Sequence, residues 1–588
     1  MSDGNGWIEA AKLSEIGSGS AKAVQIGGEG RSIALFNVDG RIFATDNQCP
    51  HMGYPLTRGM VRNGVLTCDW HGRRFDLESG GCFNNMCDDL AVFPVEMRGE
   101  EIWIRLGDDE YRRKEQHMRL LWEGLLECDR WTISKAIALM LRGNVPEQEI
   151  VAVMLKHFGR HVASSRGAGA GMDLARIISG VGLSRSYDGA DRLMALSTAA
   201  TSAAGEAASR LEVVTLPEPV VWDRIADWVR LFSRNGQSDR IERCLFTARE
   251  KGDQDLILPL LYECAATPGF LGFSDNLPTL GYLAEAAESF GWDQTSELVI
   301  NLGAKIVGQR RGEPGPFLRD AMRKLTSLEE TIDRAASMER TADEYDEDAL
   351  VEAVLSVNID RSFDALAAAL LTGVRLERLI TTFVLLAADR MARTPVNVDA
   401  GWENLTQELS LARSLRMARR IAGDRVAIMG LFHVAWTVFE NRWLNIPHRP
   451  LSETPLSDEQ PYTGEDEGLA AVGDAVETLQ VGEVGDRVLA YLAGGHDGGR
   501  LLQEVGRLAL WNDTGVQLLP TLRTVASEWE AGEGGDSTAG AGHPSRRQLL
   551  VGLTRYATDI RTNTESGSAT TTAMRFAEGR TTVDVFDA

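Results

Sequence analysis

Four residues early in the chain carry donors that bind transition metals. They stand as Cys49-Pro50-His51 and, after sixteen intervening residues, Cys68-Asp69-Trp70-His71. Two thiolates and two imidazoles at short spacing can hold one tetrahedral zinc ion, as Cys2His2 sites do. Two features weigh against zinc. Each half supplies one cysteine and one histidine instead of a cysteine pair and a histidine pair, and no ligand falls in a helical pattern. Read from these residues alone, the choice of metal stays open.

The pattern C-x-H…C-x-x-H, continued by HGRRFDLESG after Cys68-Asp69-Trp70, resembles the Rieske [2Fe–2S] family. The likeness is to its ferredoxin and aromatic-ring-hydroxylase branch and covers about residues 5–107. The resemblance implies that Cys49 and Cys68 bind one iron and His51 and His71 the other. Two ferric ions, two sulfides and two thiolates then sum to zero charge, where four thiolates would leave two negative charges. Neutral imidazoles therefore raise the reduction potential, which spans roughly −150 to +300 mV in Rieske centres. In the respiratory branch a Ser and a Tyr hydroxyl stabilise the reduced cluster; Arg73 and Phe75 occupy those positions here. Tyr54 and Trp70 stand where that branch has its loop-bridging disulfide. A potential near the bottom of the range is expected. The resemblance also implies a cluster at a tip with its histidine edges near solvent. Arg58, Arg62, Arg73 and Arg74 surround it, against Asp69 and Asp76. These arginines either make the tip locally basic toward an acidic partner or bridge surface loops.

The elements that must position these residues are strands. SIALFNV (Ser32–Val38) and RIFATDN (Arg41–Asn47) flank Asp39-Gly40, which suits a tight turn with positive φ. Val92–Arg98 and Ile102–Leu106 suggest a second pair around Gly99–Glu101, with an irregular, strand-free stretch between the pairs. The first 107 residues thus read as a small all-β sandwich. From Gly107 the pattern turns helical: residues 108–116 read as a linker, 117–562 as one large α-helical domain or two, and 563–588 as a Ser/Thr-rich tail ending in TTVDVF, one strand or a loose end. Helical stripes recur at Leu376, Leu379, Ile380, Phe383, Leu386 and Ala387, and at Leu405, Leu409, Ala412 and Leu415. Phe432, Trp436, Phe439 and Trp443 make an aromatic stripe that reads as core or as the wall of an aromatic pocket. Loop signals fall at Ser165–Gly171, Pro447–Gly468 and Glu530–Pro544.

The chain of 588 residues holds 61 Lys+Arg against 85 Asp+Glu, a formal charge of −24, which argues against nucleic acid and anionic membranes as partners. No basic and apolar leader opens it, and the apolar runs Leu379–Ala388 and Val426–Phe439 fall short of the roughly 18 residues a membrane span needs. Seven scattered cysteines are no disulfide scaffold and point to a reducing cytoplasm.

A one-electron carrier needs a terminus, and the sequence offers few. The residues three before each remaining histidine are Lys114, Met154, Phe158, Gly430, Asn445, Ala493 and Gly540. None is acidic, which excludes the D-x-x-H-x4-H mononuclear iron site and Glu-x-x-His di-iron pairs. Gly167, Gly169 and Gly171 follow no strand, so no nucleotide cradle supplies an internal reductase. An external ferredoxin or flavin reductase is the expected donor. His157 and His161, on a face with Ile150 and Met154 in the helix after Pro146, have chelating i, i+4 spacing, with Glu149 two turns back. His433, with Glu440 two turns on, is a second weak catalytic candidate. His157 and His161 read as metal or haem ligands, as acid–base groups or as partly buried helix histidines; a second centre of iron, haem or flavin in the helices stays open. The helical region, with segments such as MGLFHVAWTVFENRW, resembles questin-oxidase-like proteins in texture, which implies oxidation of a hydrophobic, natural-product-like substrate. Two readings follow: a fused oxidoreductase whose Rieske module feeds a site in the helices, or an electron-transfer or redox-sensing protein whose helices are a docking platform.

Overall fold

The N-terminal part folds into ten short strands. They are β1 (Trp7–Lys12), β2 (Ala21–Ile26), β3 (Arg31–Val38), β4 (Arg41–Asp46), β5 (Met60–Arg62), β6 (Val65–Thr67), β7 (Arg74–Asp76), β8 (Val92–Phe93), β9 (Val95–Arg98) and β10 (Glu101–Arg105). They form three antiparallel sheets in the orders β1-β10-β9, β2-β3-β4-β8 and β5-β6-β7. The computed structural model describes residues 6–26, 31–84, 86–105, 110–206, 213–342, 344–395, 401–511, 516–533, 542–560, 570, 573–574 and 577.

The expected hairpin is present. Asp39 and Gly40 take φ of 52° and 88°, so a two-residue turn joins Val38 to Arg41. β3 is buried on both faces and therefore serves two cores through its twofold repeat. Ile33 and Leu35 join Ile42, Ile102 and Ile104, while Ala34 and Phe36 join Leu56, Leu66, Phe75, Leu77 and Leu90. Cys49 and Cys68 lie in that second core, so the candidate ligands hang from packed strands.

Two strand expectations are corrected. Val92–Arg98 is not one strand: β8 pairs with β4, and only β9 pairs with β10. Pro94 lies between them and has no N–H to give a ladder. The stretch between the hairpins is not strand-free either, because β5, β6 and β7 form a small sheet of three-residue strands. Asn63 and Gly64, at φ of 52° and 76°, turn β5 into β6.

Helices follow: α1 (Glu110–Leu126), α2 (Arg130–Arg142) and α3 (Glu147–His157). Within the expected linker, residues 108–109 lie outside the described residues and α1 already runs from Glu110. Asp129 caps α2, its carboxylate accepting from the Thr132 N–H at 2.8 Å. The chain divides into two compact units, one bounded by Met1–Met154 and Ala204–Glu206 and the other by Leu155–Ala203 and Ala207–Ser566. The Rieske-like strands, α1 and α2 thus belong to the first unit.

In the second unit the expected stripes lie in helices Leu376–Arg393 and Trp402–Ala422 and are buried. A fully buried ion pair joins these helices. Arg390 Nη1 donates to Glu408 Oε1 at 2.6 Å, and Arg390 Nη2 donates to the Asn441 carbonyl at 2.9 Å. Removing one partner of such a pair costs about 3–5 kcal/mol. The aromatic stripe is core over Phe432, Trp436 and Phe439, but Trp443 is 56% exposed because the helix ends at Glu440. The expected loop at Ser165–Gly171 is helical: short turns over Ala163–Arg166 and Gly167–Gly169 lead into the helix Ala170–Ser184. A Cβ on Gly171 would come within 2.5 Å of Thr279 Oγ1, so this glycine serves close helix packing. The TTVDVF segment lies outside the described residues. No helix among the described residues is long and apolar enough to cross a membrane.

Candidate metal centre

The two candidate ligand loops are built alike. In each, the cysteine N–H donates to a carbonyl five residues on: Cys49 to Tyr54 at 2.9 Å and Cys68 to Arg73 at 2.8 Å. Each loop then closes with a glycine N–H donating back to the cysteine carbonyl, Gly53 to Cys49 at 2.7 Å and Gly72 to Cys68 at 3.0 Å. Gly53 and Gly72 need φ of 81° and 63°, a region open to glycine at little cost.

This geometry turns backbone amides toward sulfur. His51 and Met52 donate to the Cys49 thiol, and Trp70 and His71 donate to that of Cys68. The two thiols also share a hydrogen bond. It pulls Cys68 down to about 6 and, with burial added, pushes Cys49 up. The histidine rings stand edge to face with centroids 4.9 Å apart. Burial first, then the positive charges of Arg73 and Lys135, holds His51 down to about 4, so it is the neutral imidazole a metal requires.

The four candidate ligands thus form a cysteine pair and a histidine pair. Among the described residues, no three His, Cys, Asp or Glu side chains converge as a site for a single ion. A paired division fits a two-iron cluster with mixed ligands. Where a disulfide would join the loops, the Tyr54 and Trp70 rings stand 6.0 Å apart, and Trp70 also packs on His71 at 4.0 Å.

A family model described as the Rieske [2Fe-2S] domain matches residues 6–94. The ferredoxin component of a naphthalene 1,2-dioxygenase system from Pseudomonas aeruginosa is 33% identical over 101 residues, 17% of this chain and 95% of the relative. The chain belongs to the Rieske [2Fe–2S] family. The biphenyl dioxygenase ferredoxin subunit of Pseudomonas sp. (strain KKS102) is 31% identical over 100 residues, 17% of this chain and 90% of that one. The solved Sphingomonas yanoikuyae B1 ferredoxin is 27% identical, covering 17% of this chain and 98% of its own, with a TM-score of 0.16. The cofactor is accordingly a Rieske-type [2Fe–2S] cluster, and the domain is similar to electron-carrying components of dioxygenase systems.

Around the Rieske loops, Arg58, Arg62 and Arg74 are exposed, while Arg73 is half-buried with Nη2 3.4 Å from His51 Nε2. His71 is exposed and His51 is half-buried. The difference comes from α2. Trp131 Nε1 donates to the His51 carbonyl at 3.3 Å, and the fully buried Lys135 donates through Nζ to the Pro50 carbonyl at 2.9 Å. Sequence reasoning missed both residues. The available signal was a lysine inside RWTISKAIALMLR, on a helix otherwise apolar around it. It also missed Cys82 and Cys87, whose thiols hydrogen-bond in a third loop, between β7 and β8, lowering Cys82 to about 7 and raising Cys87. The Cys82 N–H donates to Asp89 Oδ1 at 2.9 Å, tying that loop together.

The remaining candidates lie in the second unit. His157 is buried at the end of α3, and the chain then makes a π-turn over Phe158–Val162 that carries His161. Their ring centroids are 5.0 Å apart, and His161 is half-buried with its pKa lowered by burial, then by Arg160. His433 is 3% exposed and bonded to the Thr267 backbone, and burial holds it down to about 4. Its Nε2 has no hydrogen-bond partner among the described residues. Glu440 lies at the exposed end of the same helix, so it does not share His433's buried setting.

Proposed function

We propose that the chain carries single electrons, with Cys49 and Cys68 holding one iron of the cluster and His51 and His71 the other. An external flavin reductase or ferredoxin supplies the electrons at a carrier domain spanning 1–107. The helical domain, 117–562, either uses them or docks the protein that does. When bound, the cluster takes up and returns one electron near the potential its mixed ligands set.

The protein's residues do the rest. Backbone amides aimed at both cysteine sulfurs stabilise negative charge there. α2 covers one histidine loop, and the exposed His71 edge with its stacked Trp70 is left as the way in and out. Arg58, Arg62 and Arg74 give that edge positive charge on a chain of net −24, which favours an acidic partner surface. The observation that carries the proposal is the paired division of the ligands beside an exposed histidine edge.

The finer reading, an oxidation site for a small hydrophobic substrate within the helices, is favoured by His433. A buried imidazole nitrogen with no hydrogen-bond partner among the described residues, close to Trp436 and Phe439 in sequence, is a polar atom in an apolar setting. Reductive titration of the anaerobic protein separates carrier from oxidase. Uptake of one electron per chain in a single wave supports a carrier that passes electrons to a separate protein. Two or more electrons, with haem, flavin or extra iron, support a second centre in the helices; uptake of none overturns both.

A further inference from the structure

Lys135 is the one charged side chain that α2 buries completely, among Thr132, Ile133, Ala136, Ile137 and Met140. A buried ammonium has lost its hydration and needs partners. Its Nζ donates to the carbonyl of Pro50, which lies between the ligands Cys49 and His51. Its charge is felt at His51, at Cys87 and at the buried carboxyl of Asp88 in the third loop. One turn earlier, Trp131 binds the next carbonyl, that of His51. The helix therefore brings one fixed positive charge, with Asp88 as its partial counter-charge, against the first ligand loop. It lies beyond residue 94, where the match to the Rieske domain ends.

We propose that Lys135 is a positioning residue that sets the cluster's reduction potential from the fused helix. Reduction adds one negative charge to the cluster, and a buried positive charge beside it stabilises the reduced form. Its burial spares the effect from salt screening. Trp131 holds the same loop without charge, so the two residues separate loop geometry from electrostatics. The inference rests on the ligand assignment above.

The test is the midpoint potential of the full chain and four variants, measured after iron and acid-labile sulfide have been counted. Lys135→Met moves the balance about tenfold toward the oxidised form, ~59 mV lower for one electron. Lys135→Arg keeps the charge and stays within about twofold of the parent, and so does Trp131→Phe. Asp88→Asn removes the counter-charge and moves the potential up, the opposite sign. The Lys135→Met shift persists in high salt. A loaded Lys135→Met protein with the parent potential overturns the inference, as does an equal shift in Lys135→Arg. If Lys135→Met fails to fold, Asp88→Asn decides: a rise supports the inference, and no change or a fall overturns it. A parent protein lacking two irons and two sulfides overturns the ligand assignment, and that is read before any potential.

Discussion

Two histidine pairs in this chain have nearly the same spacing and different surroundings. His51 and His71 have ring centroids 4.9 Å apart, and His157 and His161 have theirs 5.0 Å apart. The first pair sits on two glycine-closed loops beside two thiols, each sulfur facing two backbone amides. The second rides a helix and a π-turn beside buried Phe158 and Val162, with the Glu297 carboxylate as the acidic group felt at His161. Spacing alone therefore does not make a redox site. Preorganised donors to the bound group do, because they cost nothing to arrange when charge arrives.

The sharpest way to break this comparison is to delete from each pair. Cys68→Ser should abolish the cluster, with iron and sulfide falling to background. His157→Gln combined with His161→Gln should leave two irons and two sulfides per chain; a fall there would give the helical pair a metal role. A smaller effect comes from acid. His433 is depressed to about 4 in the folded chain against about 6.5 unfolded. The unfolded state therefore binds more protons between those values, and stability is lost as pH falls from about 6.5 toward 4, by up to about 1.4 kcal/mol per pH unit. Denaturant unfolding of His433→Gln should show a shallower pH slope than the parent; parallel curves would place the imidazole in water.

On the Rieske side, Arg74→Glu should slow electron exchange with an acidic partner by about tenfold at low salt, the difference closing at high salt. A rate that ignores this change would move the port away from the His71 edge. The smallest effect is Trp131→Phe, which removes one donor to the His51 carbonyl and costs about 1 kcal/mol of stability by thermal unfolding.

Local chemistry made part of this legible in sequence. Asp39-Gly40 announced its turn, and the ligand residues and the stripes of helices Leu376–Arg393 and Trp402–Ala422 read directly, because each depends on neighbours within a few residues. What escaped depends on distant partners. Pro94 splits a run that looks continuous until β4 claims β8. β5 to β7 are too short for periodicity to register. Lys135 reaches a carbonyl 85 residues earlier in the chain, and nothing local marks that contact. The π-turn over Phe158–Val162 also escaped, though the rings of His157 and His161 remain 5.0 Å apart.

The most direct measurement is iron and acid-labile sulfide per chain in protein purified without oxygen. The paired cysteines and histidines predict two irons and two sulfides, lost together in Cys49→Ser and with a midpoint potential below about +100 mV. One zinc per chain with no sulfide, or a potential above that value, would contradict a ferredoxin-type Rieske carrier.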